Sequence, residues 1–153
     1  MRIVVCVKAV PGSTEVKMDP KTNTIVRDGG AAVINPFDAA ALEIALRIKD
    51  KLAIEGEPCR VTVLSMGIPA TESLLRDCVA RGADAALLLS DRAFAGADTL
   101  ATTYALSCGI ARLEAPDLVL CGKMAVDGDT AQIGPELAGS LGVPCAAGVV
   151  RVP

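Results

Sequence analysis

A doubly wound, mostly parallel α/β sheet with helices on both faces is predicted from three observations. Short β-branched runs alternate with longer helical patterns along the chain, the sequence signature of strand–helix–strand units. The hydrophobic residues, 52% of the total, are largely Ala, Val, Leu and Ile, with two Phe, one Tyr and no Trp. That composition suits a sheet buried on both faces. The length of 153 residues fits one domain spanning the whole chain, which buries roughly two thirds of its unfolded surface.

The first strand falls at Ile3 to Val7. The crossover that follows, Lys8 to Ile34, contains Pro11, Gly12, Pro20, Gly29 and Gly30, with a short β-prone piece at Thr24 to Arg27, and reads as a hairpin-like excursion. A helix is predicted over Pro36 to Ala53, with Asn35 as N-cap, Pro36 at the first helical position and Asp38 complementing the dipole. Its inner face runs Leu42, Ala45, Leu46, and Glu43 and Arg47 pair outside. A strand at Arg60 to Ser65, a helix at Pro69 to Arg81 and a strand at Ala85 to Leu89 come next. Asp98 then caps a helix reaching Leu113, with Leu106, Ile110 and Leu113 as its buried stripe. The pattern closes with a strand at Asp117 to Cys121, a helix at Thr130 to Leu141 and a strand at Ala146 to Val150.

Several function classes are excluded by composition. A net charge of -3 with intermixed signs gives no footprint for nucleic acid or an anionic membrane surface. No apolar stretch has the length of a membrane span, and Met1 to Val7 is too short for a signal sequence. The six cysteines are scattered, mostly in apolar runs, which suits buried thiols in a reducing, cytoplasmic compartment. With no histidine and no clustered cysteines, zinc sites and Ser-His or Cys-His nucleophiles are unsupported, and no residue stands out as a catalytic acid or base.

Ligands in open α/β sheets bind at the carboxyl ends of strands near a topological switch point. Cys6 to Val10, Ser65 to Gly67 and Gly122 to Thr130 occupy such ends, and Ser90 to Thr102 also leaves a strand and enters a helix. The stretch from Gly122 to Pro135 carries most information. N–H groups at a helix start have no intrahelical partner, and the dipole adds positive potential, so a phosphate can be held there without Lys or Arg. Gly128 allows close backbone approach, while Asp129 and Thr130 can cap the helix or reach a ribose hydroxyl. The same residues also suit an ordinary capped turn, as do Asn35 and Asp98 at their helix starts.

Taken together, the V-K-x-V-P start, Ile34 to Asp38, Leu64 to Gly67, Ala80 to Asp84, Ser90 to Thr102 and Gly122 to Pro135 resemble the beta subunit of electron transfer flavoproteins over essentially the whole chain. The resemblance implies an adenine-nucleotide-binding α/β fold paired with an alpha subunit that carries the electron-transferring FAD. It also implies continuation beyond the point corresponding to Pro153, as though the chain were truncated. The D-G-D-T-A-Q and F-A-G-x-D-T-x-A-T forms resemble the electron-bifurcating and Fix-type members, whose beta subunit holds a second FAD where other members bind AMP. Implied adenine and ribose contacts are Cys6, Asn35, Pro36, Phe37, Asp38 and Met66, with Asp98, Thr99 and Thr102 on the ribityl and phosphate side. The implied pyrophosphate contacts are Val126, Asp127, Gly128, Asp129, Thr130, Ala131, Gln132 and Gly134. Such a subunit would take a hydride from NADH and divide its electrons between an acyl-CoA dehydrogenase-type flavoenzyme, as in fatty acid β-oxidation, and ferredoxin or flavodoxin. A universal-stress-type nucleotide sensor is the alternative, but no Gly-rich phosphate loop precedes the last predicted strand. An ATP-pyrophosphatase would need an S-G-G-x-D-S-like loop where Lys8 to Ser13 stand.

Overall fold

The structure, a computed structural model, describes residues 1–12, 17–18, 25–26 and 32–152. Its centre is a parallel sheet of β1 (Arg2–Cys6), β6 (Arg60–Met66), β7 (Ala85–Leu89) and β8 (Leu118–Cys121), in the spatial order β7-β6-β1-β8. Chain order runs outward from β1 to β7 and then returns to the other side of β1. The gap between the carboxyl ends of β1 and β8 is therefore the switch point, with Ile3 opposite Leu118 and Cys6 opposite Cys121.

Alternation along the strands sends two sets of side chains to opposite faces. Ile3, Val5, Val61 and Val63 pack with Ala41, Leu42 and Ala45 of α1 (Pro36–Ile54) and Leu75 and Cys78 of α2 (Glu72–Ala80). Val4, Cys6 and Leu64 pack with Leu106 and Ile110 of α3 (Thr99–Ile110) and Leu137 of α4 (Ile133–Leu141). Helices thus cover both faces, as predicted. The stripe on α3 is buried at Leu106 and Ile110, and Glu43 accepts from Arg47 at 2.7 Å across one turn of α1.

The excursion after β1 is built from antiparallel pieces. β2 (Ala9–Pro11) pairs with β5 (Ala32–Ile34), and β3 (Lys17–Met18) pairs with β4 (Ile25–Val26), so hairpin-like is the right description. Pro20, Thr24, Arg27, Gly29 and Gly30 lie outside the described residues.

Four features differ from the sequence reading by more than two residues. The helix expected to reach Leu113 ends at Ile110, and Leu113 packs, partly buried, from the turn that follows. The predicted helix from Pro69 begins as a tight 3-10 turn, Pro69–Thr71, before α2. α4 begins at Ile133, not Thr130, because Asp129 and Ala131 have φ of 49° and 55°, outside the right-handed region a helix requires. The strand expected at Ala146 to Val150 is irregular and exposed. β-prone residues form a strand only by pairing with an edge, and Gly148, at φ 67°, breaks the extended run from within. No helix among the described residues is long and apolar enough to cross a membrane.

Candidate functional site

A cavity of about 590 Å³ opens at the switch point, within the range of about 300–1,000 Å³ common for small-molecule and cofactor sites. Its floor is formed by the strand ends: Cys6 of β1, Met66 of β6 and Cys121 of β8. Met66 reaches it because it shares a sheet face with Leu64. Ser65 points the other way, fully buried, with its hydroxyl unpartnered among the described residues. The start of α3 supplies Asp98, Thr99 and Thr102 to one wall, and Leu106 lies one turn deeper. Gly128, Thr130, Ala131 and Gln132 form the wall before α4.

The starts of α3 and α4 stand side by side because Thr99 Oγ1 donates to Glu136 Oε1 at 3.0 Å. They differ in how their free N–H groups are satisfied. At α3 the Asp98 carboxylate accepts from Ala101 N at 2.8 Å, so the cap position already holds a negative charge. At α4 the N-cap is Gln132, which makes no side-chain cap hydrogen bond. Asp129 and Thr130, expected to cap this helix, stand too early to do so. Ala131 with positive φ followed by right-handed Gln132 turns successive N–H groups into one concavity, the arrangement that binds anions in phosphate loops. A left-handed non-glycine residue costs roughly 1–2 kcal/mol, so such backbone is kept where a site requires it.

The beginning of the loop is held from beneath. Asn35 is 1% exposed. Instead of capping α1, its amide donates to Met124 O at 2.7 Å and accepts from Val126 N at 3.2 Å. Asp38 accepts from Lys8 N at 2.9 Å and from Gly122 N at 3.1 Å, tying the ends of β1 and β8 together. Burial pushes its carboxyl above the usual carboxylate value, although the Asn35 amide and those two N–H groups pull the other way. Lys8 Nζ meets Asp127 Oδ1 at 2.7 Å at the cavity mouth.

Eleven residues expected at the site line the cavity: Cys6, Asn35, Asp38, Met66, Asp98, Thr99, Thr102, Gly128, Thr130, Ala131 and Gln132. Six others do not. Asn35 and Asp38, three apart, share one side of the helix start, whereas Pro36 and Phe37 are rotated away from it. Val126 spends its N–H on Asn35, Asp127 turns outward to Lys8, and Asp129 is exposed beside the concavity. Gly134 backs onto Cys121 rather than the cavity. Lys8, Leu106, Cys121 and Gly122 line the cavity but were not singled out as contacts. Helical spacing from Thr102 points to Leu106, and pairing β1 with β8 at the switch point would have found Cys121.

The sequence model of the electron transfer flavoprotein domain matches residues 22–153. The chain belongs to that family. It is 53% identical over 144 residues to the caffeyl-CoA reductase-Etf complex subunit CarD of Acetobacterium woodii, a match covering 94% of this chain and 53% of the relative. It is 50% identical over 147 residues to protein FixA of Azorhizobium caulinodans, covering 94% of this chain and 50% of that protein. With the electron transfer flavoprotein subunit beta of Clostridium acetobutylicum it shares 50% identity over 144 residues, 94% of this chain and 53% of the relative. The chain spans about half the length of the curated relatives it matches. Family membership replaces the universal-stress alternative.

Proposed function

We propose that this chain is the nucleotide-binding part of an electron transfer flavoprotein beta subunit of the bifurcating or Fix type. In this reading FAD, with AMP as the alternative, occupies the switch-point cavity, and an alpha subunit completes the electron carrier. The observation that carries the reading is the uncapped start of α4, preceded by the Ala131–Gln132 concavity and facing a cavity with an apolar floor. These residues suit the phosphate half of a dinucleotide. Among the described residues the cavity lining contains no aromatic side chain, so in this reading stacking cover for an isoalloxazine ring comes from a partner.

Bound flavin supplies the redox chemistry, and protein groups set its place and surroundings. The chain's own residues do three things. Gly128 would leave room for a phosphate group, since a Cβ there would meet only Lys8 Nζ at 3.9 Å. The N–H groups from Ala131 to Ile133 would hold the negative charge, and Met66 and Leu106 exclude water from the floor. The name of CarD, a subunit of a caffeyl-CoA reductase-Etf complex, supports a flavoenzyme partner of the acyl-CoA dehydrogenase type; NADH as donor, ferredoxin or flavodoxin as second acceptor and a cytoplasmic setting complete the proposal.

The test is the nucleotide content of the full-length protein purified with its alpha subunit. Two FAD per heterodimer is the expected result. One FAD with one AMP would overturn the bifurcating reading.

A further inference from the structure

β1 and β8 run in parallel register with Cys6 directly opposite Cys121. Both residues lie in the cavity floor. Neighbouring strands lie about 4.7–4.9 Å apart, inside the Cα spacing of about 4.4–6.8 Å over which a disulfide closes. Paired positions in register project to the same face with near-parallel Cα–Cβ bonds, so closing the disulfide draws the two Cβ atoms in from the strand spacing to about 3.5–4.5 Å. The neighbouring Cys121 sulfur, burial and the negative charge of Asp38 push the Cys6 thiol up, while the Cys6 thiol beside it draws Cys121 down. Cys6 is 7% exposed, whereas Cys121 is half-buried and reached from the cavity, so Cys121 is where an incoming reagent is attacked.

We propose that Cys6 and Cys121 form a reversible redox dithiol in the cavity floor, closed to a disulfide by a small disulfide oxidant and reopened by a thiol. The Cys121 thiolate attacks one sulfur of R–S–S–R, forming a mixed disulfide and releasing one RSH. Cys6 then loses its proton and attacks Cys121 Sγ, breaking the mixed bond and releasing the second RSH. Two protons and two electrons pass from the protein to the oxidant.

The consequence for ligand binding rests on the nucleotide reading of the cavity. Closing the bond draws Cys121 toward Cys6 and pulls on the next residue, Gly122, whose N–H donates to Asp38 Oδ1 at 3.1 Å and which packs closely on the start of α1. A Cβ there would overlap Asp38 Oδ1 and lie 2.7 Å from the Phe37 carbonyl carbon. The Cβ of Cys121 also sits 3.7 Å from a Cβ built on Gly134, in the first turn of α4. Oxidation therefore moves the phosphate-facing wall, and bound nucleotide in turn covers the thiols.

The experiment uses the full-length protein carrying Cys108→Ser and Cys145→Ser, which removes the exposed thiols. After treatment with oxidised glutathione, remaining thiols are alkylated and peptides are identified by mass. The expected product is a Cys6–Cys121 linked pair that dithiothreitol removes. With ADP at about 100 times its Kd, formation slows roughly a hundredfold. Cys6→Ser should leave Cys121 as a lasting glutathione adduct, and Cys121→Ser should leave Cys6 unreacted. Alkylation of both cysteines after oxidant treatment would overturn the proposal. Failure of the reduced protein to bind FAD or ADP by calorimetry would sink the nucleotide reading instead, leaving the linkage to be decided by the peptides alone.

Discussion

The loop between β8 and α4 has two halves that differ in what holds them. From Gly122 to Asp127 it is fixed by the protein: Asp38 takes the Gly122 N–H, Asn35 grips Met124 and Val126, and Lys8 pairs with Asp127. From Gly128 to Gln132 it is exposed and carries both positive-φ non-glycine residues of the described chain. Among the described residues its one side-chain hydrogen bond is a long one, from Thr99 Oγ1 to Gln132 Oε1 at 3.5 Å. A rigid first half places the second half at the cavity; there Gly128 N and Asp129 N close a turn onto Ala125 O at 3.2 and 2.9 Å, and the N–H groups from Thr130 to Gly134 have no loop or cap partner among the described residues. Two glycines mark the difference. A Cβ at Gly122 meets backbone and carboxylate at once, whereas one at Gly128 meets nothing closer than the end of a flexible lysine.

The largest effect expected from breaking this contrast is on Gly122→Ala. Its methyl group displaces Asp38 and the start of α1, at a cost of about 3 kcal/mol, the upper part of the range for overpacking. Urea unfolding measures it, and an unchanged midpoint would refute the tight packing. Asn35→Ala comes next, because it strands the Val126 N–H and the Met124 carbonyl. A loss of about 2 kcal/mol is expected, with weakened nucleotide binding as the loop loosens. Gly128→Val should behave oppositely to Gly122→Ala. Stability stays within about 0.5 kcal/mol, as for surface substitutions, while nucleotide affinity falls about tenfold with one charge-assisted hydrogen bond lost. Circular dichroism with calorimetry separates the two quantities. Equal affinity in mutant and parent would reduce the second half of the loop to a turn.

The smallest effect sharpens the contrast through pH. Asp38, beside the cavity, has its carboxyl raised by burial, so ionising it costs the folded state. Its contribution is greatest below the ordinary carboxylate value of 3.8 and declines as pH rises through the raised folded value. Asp84 sits just before β7, at the opposite end of the sheet. Desolvation raises its carboxyl, but Lys49, at 2.7 Å, together with the Val61 N–H and Arg60, outweighs that and leaves it lowered. Its contribution is present above 3.8 and lost as pH falls through the folded value. Thermal melts of Asp38→Asn and Asp84→Asn across acidic pH should therefore differ from the parent with slopes of opposite sign. Slopes of the same sign would contradict the assignment.

Most of the architecture was legible because it depends on periodicity. Strand alternation and the stripes of α1 and α3 follow from which residues must be apolar, and the switch point follows from parallel strand order. The misread features depend on partners far away in sequence. Asn35 and Pro36 look like a cap, and only the arrival of residues 124–126 reveals that the Asn35 amide is used elsewhere. Asp129 and Thr130 look like helix-start residues, but positive φ at Asp129 and Ala131 is a backbone property that no residue type there announces, since neither is glycine. Val149 and Val150 have strand propensity and no strand beside them, being 56% and 99% exposed. The site segments that the resemblance to electron transfer flavoproteins implies converge on the switch-point cavity, and the spacing of Asn35 and Asp38 on one helix side separates residues that line it from those that do not.

The central claim is that the free start of α4 holds phosphate. Calorimetric titration of the nucleotide-stripped, full-length protein with ADP, AMP and adenosine, on the parent and on Gly128→Val, tests it most directly. Affinity should rise from adenosine to AMP to ADP in the parent, and most of that gain should vanish in the mutant. Equal affinity for adenosine and ADP in the parent, or a phosphate gain untouched by Gly128→Val, would contradict it.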